Sequence, residues 1–360
     1  MFKRMLLTAF AVLTGLGSAM AANGDAVGVV REDQAMPSAI LRQDVDYSVY
    51  LPPEYDRRVR SYPVIFMMHG VGGRSEDWFQ FARANLIFDK LIESGKVPPF
   101  IAVSPEGRRD PKDSFNTYYM NDADGAFRWQ DMFVREFVPF VEKRYGGLGT
   151  KNGRAIIGLS MGGYAATALS LKYPDLFVGA AALSAAFRTE DQITALDQTA
   201  YDWRYGKAWG IGLAGKARIN KLYRANSVFD LASEVPGKNL EKTSFYFDCG
   251  SDDDFFAGNA AFHLQLRKLG VKHRFMVREG GHDWTYWGDG LPEATRFIGA
   301  LFQKGMSPEA LKPSKPASDL VASSDEDQPK RQPSGRPTLA PIEAKTVGSQ
   351  KPKGIKGAGS

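Results

Sequence analysis

The run Ala155-Ile156-Ile157-Gly158-Leu159-Ser160-Met161-Gly162-Gly163 constrains this chain more than any other stretch. An apolar, β-rich segment leads straight into a serine framed by glycines, and a helix-forming segment follows. That is the G-x-S-x-G pattern of a nucleophile elbow in the context the pattern requires. In so tight a strand-to-helix reversal, side chains at positions 158 and 162 would collide with neighbouring chain, so glycine is needed at both. Ser160 is then presented at a helix N-terminus, where the free N–H of Met161 can donate to an oxyanion developing on an attacked carbonyl. The expected chemistry is acyl transfer through a serine.

The chain has 360 residues, 43% hydrophobic and 24% charged, enough to bury a large core. Its amino terminus carries Lys3-Arg4, an apolar stretch from Met5 to Leu16, and Ala19-Met20-Ala21. These are the charged, apolar and small-residue parts of a secretory signal, expected over residues 1–21 with cleavage after Ala21. The apolar run is shorter than the roughly 20 residues of a spanning helix. The expected location is therefore periplasmic or secreted, with no membrane span after signal removal. There is no cysteine near Ala22 for lipid attachment. The single cysteine, Cys249, cannot form an internal disulfide and reads as a small buried residue beside Gly250.

The net charge of +5 implies mild attraction to anionic surfaces. No basic cluster with aromatic support accompanies it, so nucleic acid is not an expected partner. Part of the basic excess lies in residues 306–360, rich in Pro, Lys, Ser and Gly and nearly free of aromatics. Such a segment cannot offset chain entropy by burial and is expected to be a disordered tail. Weak contact with an anionic cell-wall polymer is the interaction its composition suggests.

Between these ends, residues 22–305 alternate short β-rich runs with helical patterns, which predicts an α/β fold: a doubly wound, mostly parallel sheet with helices on both faces. The predicted strands are 45–51, 64–68, 101–104, 155–159, 178–183, 244–248 and 273–277. The segment 127–145 places Trp129, Phe133, Phe137, Phe140 and Val141 on one helical face, a core stripe. Around 185–236 the pattern loosens, with Trp203, Tyr205, Trp209 and Tyr223 among polar residues. This reads as an excursion over the ligand edge of the sheet, either roofing a pocket or forming an ordinary helix pair.

A serine hydroxyl needs a base, and imidazole suits the task near neutral pH. Of the four histidines, His69 ends an apolar strand, His263 lies mid-helix and His273 starts a strand. His282 follows Gly280-Gly281 in a loop after the last predicted strand, which satisfies the order serine, acid, histidine of doubly wound hydrolases. The acid belongs on a turn after a strand between serine and histidine. The segment Asp248-Cys249-Gly250-Ser251-Asp252-Asp253-Asp254 supplies that turn, and its three adjacent carboxylates leave the choice open. They also raise a Ca²⁺-binding alternative, although EF-hand spacing is absent. Paired zinc-ligand spacing is absent as well, so neither a metal nor another cofactor is expected. The loop His69-Gly70-Val71-Gly72-Gly73 follows an apolar strand, and the Val71 N–H is the expected second oxyanion donor.

These residues resemble the esterase family of α/β-hydrolases that includes feruloyl and acetyl-xylan esterases, tributyrin-type esterases, S-formylglutathione hydrolases and mycolyltransferases. The resemblance runs from about Tyr47 to Phe302. It rests on Tyr50-Leu51-Pro52-Pro53-Glu54-Tyr55, the His69–Gly73 loop with Asp77-Trp78, Gly158–Gly163, Gly250-Ser251-Asp252-Asp253, and Gly281-His282-Asp283-Trp284. It implies the α/β-hydrolase fold and places the acid on Asp253, with Asp252 as the alternative. It also implies a serine carboxylic-ester hydrolase acting through Ser160, His282 and Asp253 on short-chain acyl or carbohydrate esters of acetyl or feruloyl type. Trp78, Tyr118, Tyr119, Trp284 and Trp287 are the expected aromatic lining of the substrate pocket. Two alternatives use the same sequence features: an acyltransferase delivering the acyl group to a sugar or lipid alcohol, and a non-catalytic wall-binding protein.

Overall fold

Short apolar runs without polar alternation, such as Val64–Met68, suit strands covered on both faces, and here they form the centre of a parallel sheet. The computed structural model describes residues 27–234 and 237–306. The expected signal segment, and the expected tail beyond Met306, lie outside the described residues. Those that are described all belong to one of the two units into which the chain divides, residues 1–317.

The strands are β1 Val29–Ser38, β2 Gln43–Leu51, β3 Val64–Met68, β4 Ile101–Pro105, β5 Arg154–Leu159, β6 Gly179–Leu183, β7 Ser244–Gly250 and β8 His273–Arg278. They form one eight-stranded sheet in the order β1-β2-β4-β3-β5-β6-β7-β8. From β4 to β8 all pairings are parallel, while β1 and β2 join antiparallel. Alternate residues of β3 face opposite sides: Phe66 and Met68 enter one core, Ile65 and Met67 the other. Helices α1 (Ala84–Glu93) and α5 (Trp284–Gly305) cover the Ile65 face. Helices α2 (residues 129–145), α3 (Met161–Lys172) and α4 (Phe256–Lys268) cover the Phe66 face. This is the doubly wound α/β-hydrolase arrangement that the alternation of runs predicts.

Helix α2 contains a π-helical turn at Phe133–Phe137. Trp129 stacks on Phe133 at 5.2 Å, and Trp129, Phe133, Phe137 and Val141 are buried, whereas Phe140 is only half-buried. The strand β1 is absent from the sequence-based expectation for a physical reason. Its VVREDQAMPS sequence carries charges and Pro37, lacks period-two patterning, and sits at the sheet edge where one face and one ladder side meet solvent. A bulge between Arg31 and Gln34 interrupts its register.

Over its described residues, 185–234, the excursion expected at 185–236 is a set of short helices, among them Glu190–Thr194, Gln198–Tyr201 and Lys221–Arg224. Buried Arg218 organises it, donating to the carbonyls of Ile193, Leu196 and Leu213 at 3.0, 2.6 and 2.8 Å. Tyr205 and Trp209 stack at 4.1 Å and only 3° apart in plane. Loose helical patterning in the sequence thus corresponds to segments too short for a periodic stripe.

Candidate active site

The elbow begins at the end of β5. A Cβ at Gly158 would strike the Gly162 carbonyl, and one at Gly162 would strike the Met68 carbonyl of β3, so both approaches require glycine. Between them Ser160 takes φ 53° and ψ −120°, a conformation costly for a residue with a side chain and held here by its surroundings. Its N–H donates to Leu183 O at 2.9 Å, and its carbonyl accepts from Tyr164 and Ala186 at 3.0 and 2.9 Å. The backbone is therefore pinned to β6, to α3 and to the segment after β6.

The loop after β8 brings His282 to the same point. Its Nε2 lies 2.9 Å from Ser160 Oγ, and its Nδ1 lies 2.9 Å from Asp253 Oδ2. Asp253 stands on the turn after β7 and its carboxylate is fully enclosed, while Asp252 and Asp254 are exposed. Burial pushes the Asp253 carboxyl upward, but hydrogen bonds from His282 and from the Phe255 N–H outweigh it and hold the group below the usual carboxylate range. Two main-chain bonds tie the acid turn to the histidine loop: Ser251 N–H to Arg278 O at 2.9 Å and Asp252 N–H to Gly280 O at 3.1 Å. The His282 ring packs between Phe255 at 5.0 Å and Trp287 at 4.9 Å.

A cavity of about 660 Å³ opens over these groups, lined by Ser160 and His282 together with Val71, Tyr118, Trp284 and Trp287. Met161 starts α3 beside Ser160, and neither its N–H nor that of Val71 donates to an acceptor among the described residues. Two of the expected lining aromatics sit elsewhere. Trp78 is fully buried behind the wall, edge-on to Trp284 at 5.7 Å. Tyr119 is also buried, its hydroxyl donating to the His69 carbonyl at 3.0 Å and its ring against Trp129. Both serve packing, because aromatic residue type alone does not distinguish a wall's inner surface from its support.

His69 lies behind the Val71 loop, with Nδ1 2.8 Å from Gly70 O and Nε2 2.9 Å from the Gly107 N. His263 and His273 contact each other at 2.7 Å on α4 and β8. Among the described residues, no group of three or more His, Cys, Asp and Glu side chains is arranged to hold a metal ion, and no helix is long and apolar enough to cross a membrane.

Sequence reading missed Arg188, Gln192, Arg204 and Phe255, all of which line the cavity. The first three come from the excursion, which therefore forms part of the cavity wall. One signal was available for Arg188: it interrupts the apolar run Ala185-Ala186-Phe187 directly after β6, at the carboxyl edge of the sheet where ligands meet such folds.

Comparison with known proteins bears on the family and the fold. The sequence model of the family described as Putative esterase matches residues 38–298. An esterase of Mycobacterium tuberculosis is 26% identical over 252 residues, covering 65% of this chain and 52% of its own length. An acetyl esterase of Caldicellulosiruptor saccharolyticus is 26% identical over 243 residues, covering 65% of this chain and 82% of the relative. The chain thus spans about half the length of the mycobacterial relative. A solved ferulic acid esterase superposes with a TM-score of 0.65 at 28% identity, covering 77% of this chain and 99% of that one. With its elbow serine, its eight-stranded sheet and a family match over most of its described length, this chain belongs to the esterase family and has the α/β-hydrolase fold.

Proposed function

We propose that the chain is a serine carboxylic-ester hydrolase. One observation carries this reading: an unbroken relay from the enclosed Asp253 carboxylate through His282 to Ser160 Oγ, each step 2.9 Å, opening into a substrate-sized cavity. His282 Nδ1–H donates to Asp253, leaving Nε2 to accept the Ser160 hydroxyl proton. As that proton moves to Nε2, Ser160 Oγ bonds to the ester carbonyl carbon and negative charge collects on the carbonyl oxygen. The N–H groups of Met161 and Val71 stabilise that oxygen. Collapse breaks the bond to the alcohol, which leaves with the proton from His282. Water, deprotonated by His282, then attacks the acyl-enzyme and releases the acid and the free serine.

The substrates proposed are short acyl or carbohydrate esters of acetyl or feruloyl type, supported by the cavity volume and by the acetyl esterase and ferulic acid esterase among the similar proteins. Export to the periplasm or medium is proposed from residues 1–21. Ser160→Ala is expected to reduce hydrolysis of p-nitrophenyl acetate by about 10⁴-fold or more and to abolish fluorophosphonate labelling, with an unchanged circular dichroism spectrum. Retained turnover would overturn the assignment. Product analysis with a competing alcohol separates hydrolysis from acyl transfer, and a panel of acetyl, butyryl and feruloyl esters ranks the acyl groups.

A further inference from the structure

Arg188 is a half-buried cation in the cavity wall with no ion pair to a carboxylate among the described residues. Its Nη1 donates to the hydroxyls of Tyr205 and Tyr118 at 2.7 and 3.2 Å, and its guanidinium carbon lies 4.5 Å from the Phe255 ring centre. Phe255 also contacts the candidate base, its ring centre 5.0 Å from that of His282. The segment is held in place, because Ala186 N–H donates to Ser160 O and Thr189 begins a capping box with Gln192 immediately after Arg188. Nε and Nη2 of Arg188 donate to nothing among the described residues, and neither is a sealed, unpartnered atom. Both atoms reach solvent-accessible space, and Arg188 lines the cavity over Ser160.

Arg204 lines the same cavity and likewise has no ion pair among the described residues. Its Nη1 donates to Ala200 O at 3.3 Å and its guanidinium packs on Trp203. The carboxylates of the cavity wall are engaged or face water: Asp77 accepts from Arg74 N–H, Asp283 caps α5 through Tyr286 N–H, and Asp254 is exposed. A partly desolvated guanidinium is costly unless paired, and its planar fork matches a carboxylate.

The geometry points to esters that themselves carry a carboxylate as the substrate class, with Arg188 as the group that receives it and Arg204 as a second positive charge on the same wall. This rests on the hydrolase reading above and narrows it. The carboxylate can belong to the acyl half or the alcohol half of the ester, and matched substrates separate the two. For the acyl half, monoethyl adipate is compared with ethyl hexanoate. For the alcohol half, 4-acetoxybenzoate is compared with its methyl ester.

In one pair the anionic member is expected to be favoured in kcat/KM by about tenfold or more at low salt, and the preference to shrink at 0.5 M salt, as charge-assisted bonds require. Arg188→Gln is expected to reduce that preference at least tenfold, and Arg188→Lys to restore part of it. Neutral members favoured in both pairs, or a preference unmoved by Arg188→Gln and Arg204→Gln, would overturn the proposal. Should Arg188→Gln fail to fold, the salt dependence of the native protein and the Arg204→Gln variant decide. Calorimetric titration of benzoate into Ser160→Ala gives a readout independent of turnover: binding weakened about tenfold by adding Arg188→Gln supports the site, and undetectable binding to Ser160→Ala counts against it. Failure to hydrolyse any ester would instead strike at the hydrolase reading, leaving the binding measurement to judge the anion site.

Discussion

The Asp248 carboxylate and the Arg278 guanidinium meet at 3.1 Å, and together they brace both ends of the loop that carries His282. Arg278 closes β8, and its Nη2 also donates to Tyr286 O in α5 at 3.0 Å, while the Tyr286 hydroxyl donates to Asp248. Asp248 is fully enclosed, so loss of its cation would strand a buried charge. Arg278→Met is expected to cost about 3–5 kcal/mol of stability by urea denaturation. It should also lower kcat more than it raises KM, because the loop it braces positions His282 and not the substrate.

Asp252 and Asp253 are adjacent in sequence and opposite in environment. Asp253→Asn is expected to lower kcat by about 10²–10⁴-fold, since the amide cannot hold the Nδ1–H tautomer of His282 or stabilise the imidazolium. Asp252→Asn, altering an exposed side chain, should leave kcat within about twofold. Equal losses in the two variants would reassign the acid.

Trp78 and Trp284 touch edge-to-face yet serve different ends. Trp284→Ala removes cavity wall and should raise KM for aromatic esters about tenfold with a modest loss of stability. Trp78→Ala opens a void in the sealed core behind it and should cost about 3–5 kcal/mol, read as a fall in thermal midpoint.

Glu106 gives the fold an acid-sensitive component. Burial works to raise its pKa, but the His69 ring at 3.3 Å and the Arg108 guanidinium at 2.7 Å outweigh it and pull the carboxyl from 4.5 down to about 2. A carboxyl depressed by folding stabilises the native state above its unfolded pKa, and that contribution disappears as pH falls from about 4.5 toward about 2. Glu106→Gln is expected to lower stability at pH 7 by on the order of 2–3 kcal/mol and to flatten the pH dependence of denaturation between those limits.

The sheet from β2 to β8 was legible because β3 to β6 are short apolar runs, and β2, β7 and β8 are β-branched or aromatic runs bounded by turn residues, signals local in sequence. The edge strand β1 was not, because its pairing depends on a neighbour that already exists and not on its own pattern. At the site, Ser160 and His282 stood out through glycine context and loop position. Residue type does not separate the three neighbouring carboxylates; the family resemblance points to Asp253, and enclosure, a property of the assembled turn, sets it apart. The aromatic lining was harder still: Tyr118, Trp284 and Trp287 reach the cavity, whereas Trp78 and Tyr119 face away from it. Arg188 acquires its meaning only when β6, the turn after β7 and the excursion come together.

The Ser160 backbone is gripped by β6, by the first turn of α3 and by Ala186 in the segment that leads to Arg188. Reactive centre and selectivity surface thus share one stretch of chain, from Ala186 to Arg188. Tyr164, whose N–H holds the Ser160 carbonyl, also donates its hydroxyl to Asn226 O at 2.7 Å, so a change of diet that rebuilds residues 189–234 has to keep that anchor if the chemistry is to stay in place.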